Sequence, residues 1–185
     1  MKYFTTTLLS IVLACFLFAG CEAEIDTHYN HLKIDDNESL FTNGDIKNFG
    51  CRFNPDTFMC EIILATGTIQ SLYPSAQIVG EGDYIFLNII TNPEELDGNY
   101  TFTNVNVDFS AAENNDLVAG MILKSSFVYK DFGLLSATKY YFTNGKATIK
   151  VEGNICEITF SFTTENWIPV SGYYKGELNY QDFSE

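Results

Sequence analysis

Downstream of about residue 48, apolar and polar positions alternate in short runs, and clusters of Gly, Asn, Asp and Pro interrupt them about every 8–12 residues. That spacing predicts strands joined by turns. Cys60-Glu61-Ile62-Ile63-Leu64-Ala65-Thr66 reads as a buried strand. Gly80-Glu81-Gly82-Asp83 breaks the chain before a second such run, Tyr84 to Ile90. Asn92 to Gly98 is a turn or single helical turn, and Asn99 to Val107 returns to strand. Ala111 to Asp116 is a loop, and Leu117 to Lys130 is strand-like with a bend near Lys124-Ser125-Ser126. Asp131-Phe132-Gly133 turns the chain again.

The C-terminal third has the clearest period of two. Ala137 to Thr143 predicts a strand, and Asn144-Gly145 predicts a tight hairpin, because both central residues of a type I′ turn need positive φ. Lys146 to Val151 then returns with Ala147, Ile149 and Val151 on one face. Past Glu152-Gly153-Asn154, the residues Cys156, Ile158, Phe160 and Phe162 share a face. In the last strand Tyr174, Gly176, Leu178 and Tyr180 point one way and Tyr173, Lys175 and Glu177 the other. Links this short fit only antiparallel neighbours, so four strands form a meander. Gly172 and Gly176 within a strand predict a bulge or a close backbone approach. The segments Val151-Glu152-Gly153-Asn154, Ile158-Thr159-Phe160 and Gly172-Tyr173-Tyr174-Lys175-Gly176-Glu177-Leu178 resemble the C-terminal meander of uncharacterised bacterial lipoproteins with all-β domains. The resemblance spans roughly the last 90 residues and implies architecture alone. The expected fold is all-β, an antiparallel β-sandwich, with a lipocalin- or calycin-like barrel as the alternative.

The N-terminus follows another pattern. Lys2 precedes the apolar run Leu8 to Ala19, about 18 Å long as a helix and too short for a bilayer core of about 30 Å. A positive start, a short apolar middle and small residues at the end describe a secretory signal. It closes on Phe18-Ala19-Gly20-Cys21, which resembles the lipobox of bacterial lipoproteins, although that family prefers Leu where Phe18 stands. The resemblance implies cleavage before Cys21 and transfer of a diacylglyceryl group to its thiol, so that Cys21 carries two or three fatty chains such as palmitate. Each buried methylene would contribute about 0.8 kcal/mol to anchoring. Glu22, Glu24 and Asp26 resemble the surface-export signals of some outer-membrane lipoproteins. Residues 1–20 are thus expected as signal peptide, 21–48 as an acidic tether carrying at most one short strand, and 49–185 as one all-β domain.

Charge and composition narrow the partners. The formal net charge of −14 argues against nucleic acid, whose binding needs Lys and Arg facing phosphates. With 16 Phe and 11 Tyr the chain favours sheet over helix. An exported chain permits disulfides. A hairpin centred on Pro55-Asp56 would set Cys51 opposite Cys60 within bonding distance; the alternative is that Cys51, Cys60 and Cys156 all pack as small apolar groups.

Candidate chemistry is sparse. His28 and His31 fall in the acidic segment, and no histidine follows them, which leaves the body without the usual general base. No phosphate-binding glycine loop, zinc spacing or other cofactor motif is present. Trp167, Tyr173 and Tyr140 are the aromatic candidates for contact with carbohydrate or an envelope protein, with Tyr174 turned inward. The expected role is non-enzymatic: an outer-membrane lipoprotein held by Cys21, acting as a binding or structural module. A calycin-like carrier of a small apolar ligand and a fimbrial-type subunit are the alternatives.

Overall fold

Alternating side chains on neighbouring segments bury one apolar face each, and the strands they form pair into a single large sheet. A computed structural model describes residues 29–51, 56–72, 77–93, 95–105 and 116–184. Its strands are β1 (His31–Ile34), β2 (Asn37–Asn48), β3 (Phe58–Thr66), β4 (Gln70–Leu72), β5 (Gln77–Val79), β6 (Gly82–Thr91), β7 (Gly98–Phe102), β8 (Met121–Ile122), β9 (Phe127–Phe132), β10 (Thr138–Glu152), β11 (Ile155–Thr164), β12 (Pro169–Glu177) and β13 (Asn179–Asp182). The fold is all-β, and the described residues contain no helix.

Eleven strands belong to the sheet, in the order β1-β12-β11-β10-β7-β8-β6-β3-β2-β13, with β9 bridging β10 and β6. Pairing is antiparallel except for β13 on β2 and β7 on β8. Because β1 pairs with both β12 and β2, the path of hydrogen bonds returns toward its start. The inner faces meet in one core: Leu32 and Phe41 from the first two strands, Ile62 and Leu64 from β3, Ile85 and Leu87 from β6, Phe142 and Ile149 from β10, and Ile158 and Phe160 from β11. Phe142 stacks on Phe162 with ring centroids 4.3 Å apart.

Strands β3 and β6 are covered on both faces, which explains their unbroken apolar runs. On the outer face, Met59 and Ile90 pack with Leu117 and Leu123. Farther along, Ile63, Ala65, Tyr84 and Phe127 form another cluster. Between the two clusters a polar row crosses the strands, Lys47 paired with Glu61 and Glu61 with Asn88.

Four sequence expectations are corrected. Asn144-Gly145 does not turn the chain; β10 runs through it, with a bulge between Phe142 and Asn144. Gly145 has φ 140, and a Cβ there would lie 2.3 Å from Phe162 Cδ1, so only glycine lets the backbone press on that ring. The C-terminal meander therefore has three strands, β10 to β12. Leu117 to Lys130 is divided: β8 and β9 are separated by a turn at Lys124-Ser125.

The third correction concerns the tether. Residues 31–48 form β1 and all of β2 and supply core residues Leu32, Ile34, Phe41 and Ile46. The outward positions of β2 are Asn43, Asp45 and Lys47, so its sequence looks hydrophilic although Asp45 and Lys47 are buried. The fourth concerns the cysteines. The β2–β3 register sets Asn48, not Cys51, opposite Cys60. Cys51, Cys60 and Cys156 are free thiols, Cys51 exposed and the other two buried.

Candidate functional site

Where β3 begins and β6, β10 and β12 end, the strand termini do not close over the core. They leave a cleft of about 590 Å³. Ile46, Phe58, Leu96, Val151 and Leu178 give it apolar walls, together with the thiols Cys60 and Cys156. Asn48, Thr91, Glu95, Asn154, Glu177 and Tyr180 supply polar groups. This combination of an apolar body with a few polar groups, at a volume within the 300–1,000 Å³ typical of ligand pockets, suits a small molecule.

Two buried phenols brace the rim. Tyr100 Oη donates to the Leu96 carbonyl at 2.6 Å, and Tyr174 Oη donates to the Glu177 carbonyl at 2.7 Å. Alternation turns both rings inward, and each ties an irregular rim segment back to a strand. Asn48 Nδ2 donates to Tyr180 Oη at 2.9 Å, while its Oδ1 accepts from the Gly50 amide at 2.9 Å.

The thiols are chemically quiet. Burial pushes Cys60 up to about 12, and burial, then the Asp97 carboxylate, pushes Cys156 to the same value. A thiol held protonated is a poor nucleophile and metal ligand. Tyr100 is raised by burial first, then by Cys60, Asp97, Glu95 and Cys156. Tyr174 is raised by burial, then by Cys156, Asp45 and Glu177.

No family model, no curated protein and no solved structure matches this chain. The functional reading therefore rests on residues and geometry alone.

The residues expected from sequence do not gather at this cleft, apart from Cys60. Cys21 and His28 lie outside the described residues. His31 Nδ1 lies 2.9 Å from the Tyr29 carbonyl oxygen, and its side chain lines a shallow depression with Tyr173 and Glu157. Tyr173 is on the outward face of β12, as expected, yet only 6% exposed. Tyr140 is half-buried against the inner core, and its neighbour Tyr141 is the outward ring, with Lys139 Nζ 4.6 Å from its centroid. Trp167 stands in the β11–β12 turn, 85% exposed, with φ 62. These aromatics occupy three different settings rather than one platform.

Sequence reasoning missed Leu96, Val151 and Leu178. Leu96 carries a faint signal, an apolar side chain inside the acidic turn Glu94-Glu95-Leu96-Asp97. Val151 and Leu178 continue an alternation that merely runs past the end of the core.

Proposed function

We propose that this chain is an exported, lipid-anchored, non-enzymatic binding module whose end cleft takes a small molecule with an apolar body. The observation that carries the binding half is the apolar cleft between the strand ends, with polar groups confined to a few positions. Protonated thiols and the lack of a lining histidine favour holding a ligand over transforming it. The anchoring half rests on Phe18-Ala19-Gly20-Cys21 after a short apolar run, and the acidic residues that follow favour the outer face of the outer membrane. Titration with the uncharged fluorophore N-phenyl-1-naphthylamine tests the binding half. Saturable enhancement is expected, with affinity falling at least about tenfold in Val151→Lys, whose charge would enter the apolar wall. Absence of saturable binding would remove this reading.

Trp167 favours a second reading, contact with carbohydrate or an envelope protein. A positive φ at a bulky residue costs stability, and the exposed indole recovers nothing by burial. Its retention would be explained by a partner. Quenching of Trp167 fluorescence by acrylamide that is relieved on adding peptidoglycan fragments would support carbohydrate; unchanged quenching would count against it.

A further inference from the structure

We propose that the end cleft discriminates by charge, accepting a cationic amphiphile such as an alkylammonium and rejecting a carboxylate of the same apolar body. This rests on the reading of the cleft as a binding site and adds the class of ligand.

Among the described residues, the lining holds two carboxylates, Glu95 and Glu177, and no Lys, Arg or His. They stand on opposite sides of the sequence, Glu95 in the turn after β6 and Glu177 at the end of β12. Both belong to rim segments pinned by the buried phenols, Glu177 through its own carbonyl and Glu95 through its neighbour Leu96. Glu95 Oε2 accepts a bond of 3.2 Å from Asn92 Nδ2. The negative field extends to the phenols that brace the rim: Glu95 and Asp97 help raise Tyr100, and Glu177 helps raise Tyr174.

Tyr180 lines the same cleft, 58% exposed, and adds an aromatic ring to a lining that holds both carboxylates. Carboxylates and an aromatic ring around an apolar pocket are the groups that recognise ammonium heads. Lys150 and Lys175 lie nearby in sequence but turn to Glu157 on β11, at 4.0 and 3.7 Å. The net charge of −14 adds a long-range field of the same sign. A fatty acid entering this cleft would bring its carboxylate toward Glu95 and Glu177. A trimethylammonium head would bring the opposite charge.

The test uses three probes with one decyl chain and different heads: decyltrimethylammonium, decanol and decanoate, each below its micelle concentration. The purified full-length protein is titrated while the methyl NMR shifts of Ile46, Leu96, Val151 and Leu178 report occupancy of the cleft. The expected order is ammonium tighter than alcohol by about tenfold, and alcohol tighter than carboxylate. Raising salt to about 0.5 M should compress the series. The double variant E95Q/E177Q should bring the three affinities within about twofold, and because both side chains are exposed the unliganded spectrum should otherwise persist. Equal affinities in the native protein, or tighter binding of decanoate, would overturn the charge proposal and leave the cleft as a neutral pocket. No shift with any probe would instead overturn the binding reading itself.

Discussion

Lys47 Nζ lies 3.8 Å from Glu61 Oε2 on the outer face of the sheet, with the two side chains 2% and 18% exposed. A charge this deep is tolerated because its partner is beside it. Removing one member leaves an uncompensated charge, whereas replacing both by apolar groups removes the desolvation cost with the attraction. Lys47→Ala should therefore lower unfolding free energy by about 3–5 kcal/mol, and Lys47→Met with Glu61→Leu should recover most of that loss, short of the part Lys47 contributes through its charge near Asp45. Urea unfolding of the three proteins checks this; a double variant as unstable as Lys47→Ala would show that the pair itself stabilises.

Asp45, two residues away, sets a pH dependence. Burial raises its pKa above the ordinary value, more than its bonds to Asn179 and the Ser71 backbone and the charge of Lys47 lower it. A carboxyl raised in the folded state contributes stability that is full below its unfolded pKa and is lost as pH rises through the folded pKa. Asp45→Asn, which keeps an acceptor for Asn179, should thus gain stability relative to the native protein as pH climbs from the ordinary carboxylate range toward neutrality. A difference between the two proteins that stays flat with pH would contradict the assignment.

The close approach of Gly145 to β11, just past the bulge, predicts a sharp contrast between two glycines with positive φ. At Gly145 a Cβ would meet Phe162 Cδ1 at 2.3 Å and the Ser161 carbonyl at 2.4 Å; at Gly153, with φ 61, it would meet nothing within 4 Å. Gly145→Ala should cost on the order of 3 kcal/mol and Gly153→Ala on the order of 1 kcal/mol. Thermal melts that place the two variants together would refute the steric account of Gly145.

Those glycines also mark what local sequence can and cannot convey. Cys156, Ile158, Phe160 and Phe162 announced β11 because each second residue meets one core. Asn144-Gly145 carries the strongest hairpin signature in the chain, yet pairing with Thr163 and Phe162 uses the same flexibility to hold β10 close against β11. Strand β2 was hidden for the opposite reason: Asp45 and Lys47 are polar but buried, so its hydropathy resembles that of a solvated segment. The cleft was not legible at all. Its walls come from β2, β3, β10, the turn after β6 and the residue between β12 and β13, and no run of sequence displays that convergence.

Trp167 offers a prediction on the stability side. With φ 62 and 85% exposure, the backbone at Trp167 takes a positive φ without compensating burial of the indole. Trp167→Gly should raise stability by about 0.5–1 kcal/mol, since glycine adopts positive φ freely. Loss of stability in that variant would mean the ring packs against the fold.

The claim that the end cleft is a binding site is most directly tested by following alkylation of the three body cysteines in one sample by mass spectrometry. Cys60 and Cys156 line the cleft, whereas Cys51 is exposed and outside it. Without ligand, Cys51 should react first, because burial holds the other two thiols protonated. Saturating decanol should slow Cys60 and Cys156 further while the Cys51 rate stays fixed. Equal rates at Cys60 and Cys156 with and without decanol would contradict occupation of the cleft.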